Sequence, residues 1–145
     1  MSAIQQAAFE IAKKEIGTKE IPGKQHNPKI IEYHFTTGFR ATTDEVPWCS
    51  SFVNWCITQA GGVGTNDAMA RSWLAWGSRI KEPVAGDLVI FSRGSNIVSG
   101  HVGFLASKPK IYLPYVYVLG GNQNNQVCVA KYMKWNILGY RRAKV

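Results

Sequence analysis

The order of elements along the chain predicts an α+β domain in which N-terminal helices pack on an antiparallel β-sheet. Three observations carry this. Apolar residues in the first sixty positions recur at helical spacing between recognisable start and stop signals. After Pro83 the chain turns into short runs rich in β-branched and aromatic residues. Glycine, asparagine and proline clusters separate those runs by short connections, as in a sheet built of neighbouring antiparallel strands.

Residues 3–16 place Ile4, Ala7, Ala8, Ile11, Ala12 and Ile16 on one side of a helix, and Gly17 is its stop. Ile21-Pro22-Gly23 reads as a turn, followed by a polar loop to Asn27. Asn27-Pro28 is an N-cap followed by a proline at the first helical position, opening a short helix through Ile30, Ile31 and Tyr33. Thr36 to Val46 reads as a loop. The next helix opens at Pro47-Trp48, with the proline in its first turn, and ends at Gly61-Gly62. Its apolar face is Phe52, Val53, Cys56 and Ile57. Thr65-Asn66-Asp67 caps a further short helix carrying Met69, Trp73 and Trp76, rings that either fill the core or face a substrate.

The strands follow as Asp87–Ser92, His101–Ala106, Tyr115–Leu119, Gln126–Ala130 and Ile137–Arg141. At 145 residues, 46% of them hydrophobic and 18% charged, the chain suits one domain, 1–145. It shows neither an apolar run of membrane-spanning length nor the basic flank and apolar core of a signal peptide. Synthesis in the cytoplasm without an export signal of its own is the expectation.

Three cysteines argue against a disulfide framework. Cys49 and Cys56, seven residues apart, stand about 10 Å from each other along a helix, too far to bridge. Cys128 reads as a packing residue, and the scattered His26, His34 and His101 offer no zinc spacing. The net charge of +8, from 17 basic and 9 acidic residues spread along the chain, favours anionic partners such as nucleic acid, lipid headgroups or an acidic wall polymer. No nucleic-acid-binding motif accompanies it.

Cys49 lies in the first turn of its helix, where free N–H groups and the helix dipole favour a thiolate. It is either an activated nucleophile or a small buried packing group, and the helix alone does not decide. His101 follows Ser99-Gly100 at a strand start, where an imidazole either shuttles protons in a cleft or simply ends a strand. Gly120-Gly121-Asn122-Gln123 ends the next strand, either presenting the Asn122 amide to an imidazole or forming a hairpin turn.

Together these segments resemble a known family. Pro47-Trp48-Cys49-Ser50-Ser51-Phe52-Val53-Asn54-Trp55, Pro83-Val84-Ala85-Gly86-Asp87-Leu88-Val89-Ile90-Phe91, Gly100-His101-Val102-Gly103-Phe104 and Gly120-Gly121-Asn122-Gln123 are similar to the CHAP and NlpC/P60 peptidoglycan hydrolases. Glu20-x-Pro22-Gly23 with Asn27-Pro28, Ala70-Arg71-Ser72-Trp73 and Leu138-Gly139-Tyr140-Arg141-Arg142 resemble a compact, phage-associated, endolysin-like branch. The resemblance implies a papain-like fold and a cysteine amidase or endopeptidase that cuts amide bonds in cell-wall peptide stems. It assigns Cys49 as nucleophile, His101 as general base and acid, and Asn122 as the orienting polar residue. Many CHAP members place a glutamate two residues before such an asparagine; that position is Gly120 here, which makes Gln123 a candidate substitute.

Trp48, Arg71 and Trp73 are the candidate substrate contacts. No cofactor is expected: some CHAP enzymes bind calcium near the nucleophile, but Asp44 and Glu45 are the only nearby carboxylates, too few for its six to eight oxygens. The implied partner is peptidoglycan, with anionic envelope lipids or lipopolysaccharide as further attractors, no specific nucleic acid, and a monomeric state. The enzyme would act on periplasmic or cell-wall peptidoglycan after release from the cell that made it. The competing readings are a non-catalytic basic module that binds cell wall or nucleic acid, and a papain-like hydrolase acting on a protein substrate.

Overall fold

The computed structural model describes residues 1–22, 26–37 and 47–145. Three helices, α1 (Ala3–Lys14), α2 (Pro28–His34) and α3 (Cys49–Gln59), precede strands β1 (Ser78–Arg79), β2 (Leu88–Ser92), β3 (Gly100–Leu105), β4 (Tyr115–Gln123), β5 (Gln126–Met133) and β6 (Ile137–Arg142). Among the described residues the six strands form one sheet in the order β1-β6-β2-β3-β4-β5, every pair antiparallel. The α+β architecture read from the sequence is therefore the one observed. No helix among the described residues is long and apolar enough to cross a membrane.

Local chemistry explains the helix ends. Ser2 caps α1, its hydroxyl accepting from the Gln5 N–H, and Asn27 caps α2 by accepting from the Lys29 N–H with Pro28 behind it. Helix α3 begins without a side-chain cap: Trp48 is its N-cap residue, so Pro47 lies one position before the helix rather than in its first turn. Cys49 is thus the first helical residue. Every residue from Cys49 to Ile57 is buried, so α3 runs through the core rather than along one side of it. Its buried polar side chains are all bonded. Ser50 Oγ donates to the Asp67 carbonyl at 2.6 Å, and Asn54 Oδ1 accepts from the Asn66 N–H at 2.9 Å.

The short helix expected after Asp67 is a 3₁₀ helix over Ala70–Ala75. The fourth strand runs on to Gln123 through the glycines that read as its end, and the hairpin to β5 turns at Asn124-Asn125 instead. Both turn residues have positive φ (52° and 61°), as a two-residue type I′ turn requires and asparagine tolerates.

One buried ion pair ties the sheet together. Asp87, fully buried just before β2, takes a bidentate Arg142 at 2.5 and 2.7 Å from the end of β6 and accepts from the Val84 N–H at 2.8 Å. Gln5 of α1 fastens the same corner, donating to the Gly86 carbonyl and accepting from the Ala143 N–H. Removing Arg142 would strand the Asp87 carboxylate in the core. Arg142→Met is expected to cost about 3–5 kcal/mol of stability in urea unfolding. Asp87→Ala is expected to cost less, because the half-buried Arg142 side chain can reach water.

Candidate active site

The site forms where the start of α3 meets the start of β3 and the end of β4. The Cys49 thiol lies near the Val102 N–H, one residue after His101, and near the N–H groups at the helix start, all of which favour its charged form. The helix's own first bond runs from the Phe52 N–H to the Trp48 carbonyl, which leaves the preceding N–H groups free to point at an anion.

His101 is buried, and its Nε2 meets Gln123 Oε1 at 2.9 Å. The direction of this bond is fixed by the other end of the amide. Gln123 Nε2 donates to the Val118 and Cys128 carbonyls at 3.1 and 2.7 Å, so its oxygen must face the ring. The ring therefore carries its proton on Nε2 and keeps the lone pair on Nδ1. That Nδ1 is buried and has no hydrogen-bond partner among the described residues. A buried acceptor without a donor is costly, and here it is the atom a general base needs.

The amide on the ring is Gln123, not Asn122. A bulge between Gly120 and Gln123, with Asn122 at φ 58°, shifts the register so that Gln123 folds back toward β3. A Cβ at Gly120 would lie 2.6 Å from Gln123 Oε1 and 3.4 Å from His101 Nε2. The Gln123 amide thus fills the space that a side chain at position 120 would enter. Gly121 is needed for a different reason: a Cβ there would come within 2.6–2.9 Å of Trp48 and Phe52.

Trp48 and Trp73 are fully buried, which places both in the core rather than at a substrate surface. The Trp48 indole donates to Glu20 and the Trp73 indole to Ser50 Oγ, each at 2.9 Å. Arg71 clamps the loop that leads into β3, donating to the Ser99 carbonyl at 2.7 Å and the Asn96 carbonyl at 3.1 Å.

Three residues the sequence reading passes over belong to the site. Tyr132 stacks on the His101 ring at 4.9 Å with planes 14° apart, and Phe91 packs against both rings, 4.9 Å from Tyr132 and 6.3 Å from His101. Arg93, exposed just past β2, adds its positive charge to the surroundings of Cys49, His101 and Tyr132. Pairing of Phe91 with His101 across the β2–β3 ladder could have flagged Phe91 and Arg93, but nothing near Tyr132 in the sequence marks it. Asp44 and Glu45, the carboxylates weighed for calcium, lie outside the described residues. No cluster of three potential metal ligands occurs among the described ones.

Burial sets the protonation states. It raises the Cys49 pKa above its ordinary value, with the Val102 N–H and the Arg93 charge pulling it partly back. Burial likewise lowers His101 to about 4, against the Gln123 bond, which raises it, while Arg93 lowers it further. The resting pair is a neutral thiol beside a neutral imidazole, so the helix start does not by itself hold a thiolate.

The fold and this thiol–imidazole–amide grouping are those of a papain-like α+β protein. The CHAP domain model matches residues 41–122, more than half of the chain, and the chain belongs to that family. Two solved structures share the fold. An NLP/P60-family protein similar to lipoprotein from Staphylococcus aureus subsp. aureus Mu50 superposes with a TM-score of 0.56 at 17% identity, covering 100% of this chain and 43% of that one. The P60 domain of an antigen from M. avium subspecies paratuberculosis gives 0.55 at 14% identity, with 97% and 93% covered. The chain spans less than half the length of the staphylococcal protein. No curated protein matches the sequence.

The depressed His101 pKa predicts an acid-sensitive fold. Between about 6.5 in the unfolded chain and about 4 in the folded one, the unfolded state binds more protons, so stability falls as pH drops through that window. The loss amounts to about 3 kcal/mol once the pH is below both values. Urea midpoints measured from pH 7 to pH 4 should show a decline that His101→Phe largely removes. Imidazole ¹⁵N shifts should report the Nε2–H form at pH 7.

Proposed function

We propose that this chain is a peptidoglycan hydrolase that cleaves an amide bond of cell-wall peptide stems by thiol catalysis, in the manner of a phage-associated endolysin. One observation carries the reading: a helix-start thiol near the Val102 N–H, next in the chain to a buried histidine whose proton is fixed on Nε2 and whose Nδ1 has no partner among the described residues. Membership of the CHAP family, generally cysteine hydrolases of peptidoglycan, supports the substrate class. The two structural neighbours, an NLP/P60-family protein and a P60 domain, share this chain's fold.

In this mechanism His101 Nδ1 takes the Cys49 proton as the sulfur attacks the carbonyl carbon of the stem amide. A resting neutral pair makes the proton transfer part of the attack rather than a step before it. The tetrahedral oxyanion is stabilised by N–H groups at the start of α3. The imidazolium formed meanwhile is held by its Nε2–H bond to Gln123, which favours the charged ring. Collapse breaks the C–N bond, with Nδ1–H protonating the leaving amine, and leaves a thioester on Cys49. Water then gives its proton to Nδ1, attacks the thioester and releases the carboxylate product and the thiol. Tyr132 keeps the ring in plane for both transfers. Whether the bond lies between sugar and stem, as for an N-acetylmuramoyl-L-alanine amidase, or within the stem, as for an endopeptidase, is read by the products.

A chain of this kind would be made in the cytoplasm of a bacterial host and act on the wall after release, as a monomer and without a cofactor. The test is release of soluble fragments from purified peptidoglycan, identified by mass spectrometry. Cys49→Ala and His101→Ala are each expected to lower the rate by several orders of magnitude. Gln123→Ala should lower kcat by a factor of ten or more and raise the acid requirement of catalysis, whereas Asn122→Ala should leave kcat within a few-fold. Undiminished cleavage by Cys49→Ala would remove the reading altogether. A damaging Asn122→Ala with a silent Gln123→Ala would reassign the orienting amide.

A further inference from the structure

The charge that looks dispersed along the chain is segregated. Residues 1–87 hold nine basic and nine acidic side chains, whereas residues 88–145 hold eight basic ones and no aspartate or glutamate. Of those eight, Arg142 is paired with Asp87, Arg141 is buried against the Leu74 carbonyl, Arg93 lies at the active site and Lys144 is near the C-terminus. The remaining four, Lys108, Lys110, Lys131 and Lys134, gather at one end of the β4–β5 hairpin. There Tyr115 pairs with Met133, and the Lys134 N–H bonds the Pro114 carbonyl.

Between these lysines stand large apolar side chains facing water. Ile111 is 98% exposed, Tyr112 74% and Trp135 73%. Two of the lysines are held at the patch: Lys131 Nζ sits 4.3 Å above the Tyr115 ring, and Lys134 Nζ donates to the Lys110 carbonyl at 2.6 Å. A patch of exposed apolar groups rimmed by one sign of charge marks a binding surface.

We infer that this end of the hairpin docks on a bilayer bearing anionic lipid headgroups. The charge fits an anionic surface, and no carboxylate in the whole second part of the chain opposes it. The apolar content distinguishes a lipid surface from a nucleic acid. An aliphatic side chain as exposed as Ile111 contributes little to phosphate contact or base stacking, but belongs at an acyl boundary. Tyrosine and tryptophan favour the headgroup level, and lysine stems reach from an apolar layer to anionic groups above it. The placement also suits an enzyme. The patch lies at the Tyr115 end of β4 and His101 bonds Gln123 at the other end, eight residues or about 26 Å away, so a docked molecule keeps its cleft clear of the surface.

The inference does not rest on catalysis, and its test separates the two. Flotation of the full chain with vesicles of phosphatidylglycerol and phosphatidylethanolamine should carry the protein up, and phosphatidylcholine vesicles should not. Tryptophan emission should shift to the blue on binding, and Trp135→Phe should abolish that shift. Replacing Ile111, Tyr112 and Trp135 together by serine should cut partitioning at least tenfold. Replacing Lys108, Lys110, Lys131 and Lys134 by glutamine should cut it on the order of a hundredfold. Far-ultraviolet circular dichroism spectra and urea midpoints of both variants that match the wild type show that they fold. Partitioning that the serine variant retains in full overturns the inference. So does failure to float with anionic vesicles, or binding of a single-stranded oligonucleotide in their stead.

Discussion

The candidate site rests on one hydrogen bond, from His101 Nε2–H to Gln123 Oε1 at 2.9 Å. It is informative because it cannot be reversed: the Gln123 NH₂ group is committed to two backbone carbonyls, so the oxygen has to face the ring. That choice puts the ring's lone pair on Nδ1. The surrounding features serve the same bond. Gly120 leaves room for the amide, the bulge carries Gln123 back toward β3, and Tyr132 fixes the ring plane.

A neutral amide in this place has a different effect from a carboxylate. A carboxylate would raise the imidazole pKa strongly and favour a thiolate–imidazolium pair before substrate arrives. The amide raises it only modestly, burial outweighs it, and His101 stays neutral down to about pH 4. Gly120 and Gln123 act together here: the first leaves the space beside the ring open, and the second fills it with an uncharged acceptor from across the bulge.

Much of this was legible in the residues. Caps and breakers such as Gly17, Asn27-Pro28 and Gly61 mark the helices, and alternating β-branched runs mark the strands, because both signals are local. What escaped depends on contacts between distant segments. Gly120 to Asn122 look like a strand end because glycine and asparagine usually break strands, yet β5 pairs with this stretch and carries β4 on to Gln123. Trp48 and Trp73 look like ligand platforms only until α3 is seen to be buried on all sides. Tyr132 reaches His101 only because the sheet brings β5 round toward β3, which no local pattern encodes. The motif residues Asp87 and Arg142 are placed by the sequence but explained by the structure, as the two halves of one buried ion pair.

The protonated state of Cys49 has a chemical consequence outside catalysis. Oxidants and electrophiles attack thiolates far faster than thiols, and only where they can reach the sulfur. Cys49 is buried, and its pKa is raised by that burial. Burial therefore shields the Cys49 sulfur twice, by keeping oxidants away from it and by keeping it in the slowly reacting thiol form.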